Sequence, residues 1–220
     1  PTVRWAEPLM SGTLVLTGTP EVGQILTAQG LSLDNEINSG TSGFVYKWYR
    51  NATNTTTGGT LITGATGNTY LLISSEQNKY VYVTAQPKRG SVGVGSVTTS
   101  AAASSQVAWA APVVSGTLTV TGKAEVGQTL AASGLSVSNA DHAGTSGWVY
   151  QWYRNSSNIT SGGTPIDNAT SSAYTLTSLE DMKYVYVTAQ PKRDGTGVGE
   201  VKTSGATLVQ TVMVLPNDLE

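Results

Sequence analysis

Residues 3–106 recur, without a gap, as residues 107–210. Trp5 answers Trp109, Glu21 answers Glu125, Trp48 answers Trp152 and Tyr80 answers Tyr184, each pair 104 positions apart, and the stretch VYVTAQPKR stands intact at 81–89 and again at 185–193. By inspection well over half of the paired positions are identical, as a duplication would leave them. A solenoid unit spans roughly 20–45 residues, so a period of this length belongs to an independent small domain. Two domains are expected, residues 1–106 and 107–210. Residues 211–220 would be a linker, the start of a further module or a tail closing on a Leu-Glu of the kind cloning leaves.

Composition excludes several classes. With 39% hydrophobic residues and 25 glycines in 220, the chain is globular, and each half can bury roughly 60–70% of its unfolded surface without metals or disulfides. A net charge of −2 and a pI near 5.4 give no basic stripe, so no nucleic-acid partner is expected. No apolar run approaches the ~18 residues of a transmembrane helix, and PTVRWAEP does not read as a signal peptide. The absence of cysteine fits a cytosolic protein or a bacterial extracellular one.

The periodicity is that of strands. Segments 13–17 (TLVLT), 24–28 (QILTA), 44–50 (FVYKWYR), 69–73 (TYLLI), 79–86 (KYVYVTAQ) and 92–100 are short and rich in β-branched and aromatic residues, with Gly, Asn, Ser and Thr clusters between them. That spacing predicts an all-β sandwich of about seven strands per repeat. Alternation along KYVYVTAQ puts Val81, Val83 and Ala85 on one face and Tyr80, Tyr82 and Thr84 on the other. The valine face is the expected core, joined by Trp48 from the neighbouring strand. In the second repeat the same places fall to Trp152, Val185 and Val187.

The order GTLTVTG, EVGQTL, WVYQWYRN, then AYTLTSLEDMKYVYVTA resembles the bacterial immunoglobulin-like repeats that lack the disulfide and keep a tryptophan in the third strand. The resemblance covers about residues 13–100 and 117–204. It implies two tandem immunoglobulin-like sandwiches, with VYVTAQPKR as the sixth strand running into the last hairpin. It also implies a cell-surface, secreted or phage-virion setting. One departure concerns the corner before the sixth strand, where the usual Asp-x-Gly reads Glu76-Gln77-Asn78 and Glu180-Asp181-Met182.

No catalytic constellation is apparent. The only histidine, His142, sits in the loop NADHAGTSG and answers Asn38 in the first repeat, so it reads as a solvated loop residue and the chain as noncatalytic. Calcium needs several converging carboxylates. Asp34, Glu36 and Asp141 are sparse and differently placed in the two repeats, and Glu21 and Glu125 each stand alone. Structural calcium is therefore weakly supported, and no metal ligand or cofactor is assigned. GSVGVGS and DGTGVGE lack the phosphate-loop spacing, and Lys88-Arg89 and Lys192-Arg193 beside them read as solvated pairs near a hairpin tip.

The binding candidates are the tyrosines opposite the valine face: Tyr49, Tyr80 and Tyr82, with Tyr153, Tyr184 and Tyr186. Rings with a polar tip suit sugar stacking or protein contact, and they equally suit cross-strand pairing among themselves. Burial of these rings would remove the binding reading. Asn51, Asn54, Asn155, Asn158 and Asn168 open Asn-x-Ser/Thr sequons in polar loops. The joint, 98–112 (TTSAAASSQVAWAAP), is no flexible Gly/Ser tether; an extended joint is expected, with Trp109, like Trp5 before the first repeat, packing near it or onto its own domain. The expected role is a stalk, spacer or surface-assembly component whose partners are the other domains of a larger protein. The alternatives are an adhesin binding a glycan or host protein through the tyrosines, and an accessory module of a secreted polysaccharide-active enzyme.

Overall fold

The computed structural model describes residues 2, 4–100 and 105–211, and the protein is all-β. It divides into two compact units, Pro1–Ala110 and Ala111–Glu220. The tail expected at 211–220 lies, from residue 212 on, outside the described residues, as do residues 101–104 of the joint.

In the first unit the chain forms β1 (Met10–Thr17), β2 (Ile25–Leu33), the short helix α1 (Glu36–Ser39), β3 (Phe44–Asn51), β4 (Thr60–Leu61), β5 (Thr69–Leu71), β6 (Tyr80–Arg89), β7 (Val92–Gly93) and β8 (Thr98–Thr99). One sheet runs β1-β2-β5. The other runs β4-β3-β6-β7, with β8 also on β6. Because β7 and β8 both pair with β6, they are one strand interrupted at a bulge, where the Gln86 side chain donates to the Gly95 carbonyl at 2.9 Å. Counted so, the unit has seven strands, one of which, β4, lies in a Thr-rich stretch without strand signal.

The second unit repeats the plan with β9 (Val114–Thr121), β10 (Thr129–Val137), α2 (Ala140–Ala143), β11 (Trp148–Asn155), β12 (Thr164–Pro165), β13 (Ala173–Thr175), β14 (Tyr184–Arg193), β15 (Thr196–Gly197), β16 (Lys202–Thr203) and β17 (Thr207–Leu208).

Each core lies between its two sheets. Trp48, Val81 and Val83, with Leu14, Leu26 and Leu72, form the first, and Trp152, Val185 and Val187, with Leu118, Leu130 and Leu176, the second; the tryptophans and these valines are wholly buried. A buried indole N–H needs an acceptor. Trp48 finds it in the Gly67 carbonyl at 2.8 Å, and Trp152 in that of Ser171 at 2.8 Å. The β1–β2 pair breaks register between Gly12 and Val15. Gly12 there has φ +88°, and a Cβ would collide with the Gly30 carbonyl, so only glycine fits.

The edge of the repeat and the edge of the first unit do not coincide. The ungapped match holds to Ser100 and Ser204, whose amides donate to the Val83 and Val187 carbonyls. Beyond them, Val107 bonds the Lys79 carbonyl and Val209 bonds that of Lys183, while Ala108 bridges Glu21 as Gln210 bridges Glu125. The counterpart of Val107 is thus Val209, not Thr211, and the closing segment is two residues longer in the first unit. The division at 106/107 is corrected accordingly: Val107 is buried in the first core, and Trp109 packs against it. Trp5 lies on Gly40 with the Arg89 guanidinium 5.6 Å from its ring centroid.

Candidate functional site

The tyrosines meet as the strand register dictates. Tyr49 on β3 pairs with Tyr82 on β6, and their rings stack at 4.9 Å and 8°; Tyr153 and Tyr186 stack at 5.0 Å and 7°. Both stacks lie on the sheet face away from the core. The loop after β3 then folds over them. Asn51 Nδ2 donates to Thr55 Oγ1 at 2.8 Å and to the Thr57 carbonyl at 3.0 Å, curling the loop, and the Gly59 amide donates to the Tyr82 hydroxyl at 3.2 Å. A Cβ on Gly59 would sit 2.7 Å from Tyr82 Cε1, so the close cover depends on glycine. Tyr82 is only 4% exposed and Tyr186 only 3%. The expectation that these two offer ring faces to a ligand is corrected: a covering loop and a stacked neighbour occupy both sides. Tyr49, Tyr80, Tyr153 and Tyr184 remain half-buried, and Tyr80 and Tyr184 join no ring pair among the described residues. Beside Tyr49 lies a shallow hollow of about 120 Å³ lined by Val45, Lys47, Thr84, Gln86 and Val97.

The strongest polar constellation is one the sequence reading passed over. Glu76, in the 3-10 turn Ser74–Glu76, and Glu180, in Ser178–Glu180, are fully buried. Glu76 accepts from Arg50 Nη1 at 2.8 Å, Tyr70 Oη at 2.9 Å, the Ile73 amide at 3.1 Å and Ser75 Oγ at 2.5 Å. Glu180 accepts from Arg154 at 2.9 Å, Tyr174 at 3.0 Å, and the Thr177 amide and hydroxyl at 3.0 and 2.7 Å. Burial pushes both carboxyls up. The donors outweigh it and hold both below the usual carboxylate value, led by the Ser75 hydroxyl and Arg50 for Glu76 and by Thr177 for Glu180. The same burial and the facing carboxylate push the Tyr70 and Tyr174 phenols up. One strand of each sheet is thereby tied to the turn that enters β6 or β14. Thr177-x-x-Glu180 is a capping-box spacing legible in sequence, whereas Ile73-x-x-Glu76 is not.

That turn also explains the altered corner. Asn78 and Met182 adopt φ of 58° and 55°, the left-handed conformation a glycine would supply.

The remaining candidates separate. Arg89 is not the solvated partner of Lys88, since its Nε and Nη2 donate to the Ser39 carbonyl at 3.0 and 2.6 Å; Arg193 Nε reaches the Ala143 carbonyl likewise, at 2.7 Å. His142 stands on α2 and is exposed, and Asp34 accepts from Ser11 Oγ at 2.8 Å. No group of three or more His, Asp or Glu among the described residues could hold a metal. Asn54, Asn158 and Asn168 are exposed, while the Asn51 and Asn155 side chains are bonded within their loops. A groove of about 670 Å³ opens between β4 and β5, lined by Arg50, Leu61, Thr63, Thr69, Leu71 and Ile73 among others.

No protein-family model matches the chain, and no curated protein matches it.

Proposed function

We propose that the chain is a noncatalytic pair of immunoglobulin-like modules from a larger extracellular surface protein, serving as a stalk or surface-assembly component. The observation that carries this reading is where the shared polar and aromatic groups are spent. The Arg50–Glu76–Tyr70 and Arg154–Glu180–Tyr174 networks and the two tyrosine stacks appear in both units, and each ties strands or loops of its own sandwich. A surface setting follows from the resemblance to bacterial immunoglobulin-like repeats.

The adhesin reading keeps one specific support, the hollow beside half-exposed Tyr49. A panel of glycans and extracellular-matrix proteins separates the two. A structural module binds none of them. Binding that disappears in a folded Tyr49→Thr, Tyr153→Thr variant replaces the stalk reading with adhesion. A carbohydrate-cleaving domain elsewhere in the parent protein would instead favour the accessory-module reading.

A further inference from the structure

Duplication makes the second unit an internal control for the first. Val15, Ile25, Leu71 and Ile73 are between 42% and 54% exposed. Their counterparts are Thr119, Thr129, Thr175 and Thr177, and Leu61, also exposed, answers Pro165. Threonine matches valine in shape, and Ile25 pairs with Leu71 just as Thr129 pairs with Thr175. The sheet therefore forms without apolar side chains at these places. Ile25, Leu71, Ile73 and Leu61 are an apolar patch that the fold does not require.

The patch borders a strand edge that pairs with no other strand among the described residues. Leu72 and Asn68 exchange backbone bonds with the β2 side (Leu72 N to Gln24 O at 2.9 Å, Ala28 N to Asn68 O at 2.7 Å). By antiparallel alternation, Thr69 and Leu71 then turn their N–H and C=O groups away from β2, toward solvent. Edge strands are usually blunted by shortness, lysine, proline or a bulge; Thr69-Tyr70-Leu71 is short, at three residues, but carries no lysine and no proline. The groove between β4 and β5 runs along this edge, and of the Arg50 guanidinium that lines it only Nη1 is bonded among the described residues.

Size and charge choose the occupant. Four or five half-exposed aliphatic side chains present on the order of 400 Å², well short of the roughly 800 Å² per partner of a stable protein interface. A second copy resting on the patch alone would be undersized. An extended segment that adds to the edge gains main-chain hydrogen bonds besides apolar contact, and the spare Arg50 donors favour a carboxylate on it. We propose that the β5 edge of the first unit takes up a short extended, apolar segment of another polypeptide, bearing one acidic residue, as an added strand. This holds whether or not the two units serve as a stalk.

The test uses the whole chain and a synthetic octapeptide of alternating valine and threonine ending in aspartate, followed by backbone amide NMR. The expected result is shifts centred on Thr69 and Leu71. Ile25→Thr, Leu71→Thr, Ile73→Thr together, which copy residues the second unit already folds with, should weaken binding at least about tenfold. Thr129→Ile, Thr175→Leu, which leave the Thr177 hydroxyl on Glu180, should create binding on β13. A peptide N-methylated at alternate amides should not bind. Absence of shifts at millimolar peptide, undiminished binding by the threonine variant, or equal binding of the N-methylated peptide overturns the proposal. Shifts at β5 that grow with protein concentration without peptide overturn it too, and assign the patch to a second copy.

Discussion

Arg50 Nη1 lies 2.8 Å from a carboxylate oxygen of Glu76, a residue with no exposed surface, and Arg154 meets Glu180 in the same way at 2.9 Å. A buried carboxylate is tolerable only when its lone pairs are filled, and here four donors fill each. Glu76→Gln keeps the shape and removes the charge, at an expected cost of roughly 1.5–3 kcal/mol. Calorimetry should show one of two unfolding transitions falling, and Glu180→Gln should lower the other. An unchanged thermogram would mean that the network does not hold the fold.

The same carboxyls set an acid limit. Their folded-state pKa is depressed below the ordinary 4.5, so their stabilisation is complete above about that pH and is lost as pH falls through the lower folded value. Denaturant midpoints measured from pH 7 downward should hold steady to about 4.5 and then decline. The double variant Glu76→Gln, Glu180→Gln should show a shallower decline. At the alkaline end the raised phenols of Tyr70 and Tyr174 work in the opposite sense, their contribution being lost as pH rises above 10.0.

Gly59 seals Tyr82. With alanine there, a methyl group must enter a space 2.7 Å from the Tyr82 ring, at an expected cost of about 1–3 kcal/mol. The cost should shrink in a Tyr82→Leu background, giving a coupling above about 0.5 kcal/mol in a double-mutant cycle. Additive effects would show that the loop does not rest on the ring.

Met182 carries a side chain in a left-handed backbone where the first unit uses Asn78. Met182→Asn should stabilise the second unit by roughly 0.5–1 kcal/mol, because asparagine adopts that conformation at lower cost than methionine. The amide bond to the Val209 carbonyl is retained. A fall in the thermal midpoint would show instead that methionine makes packing contacts that outweigh the strain.

What was legible in the sequence was what short-range alternation controls. The valines of β6 face inward and Tyr49 faces Tyr82 because a period of two admits no other arrangement once Trp48 is inside. The burial of Tyr82 was not legible, since it depends on how Asn51 curls a loop whose composition reads as ordinary polar surface. The buried glutamates were missed for a related reason. Charge is a signal for water, and only the three-dimensional meeting of Arg50, Tyr70 and the turn amide reverses it. The β4 strand is two residues long and has no periodicity to read.

The closing residues of the first sandwich, Val107 and Ala108, are, by the sequence repeat, the opening residues of the second copy. The reading frame of the duplication and the frame of folding are thus out of phase. A gene cut at the repeat boundary would release a first module lacking its last stitch. The second sandwich closes within its own copy, on Val209 and Gln210, so of the two only the first borrows its final stitch from the copy that follows.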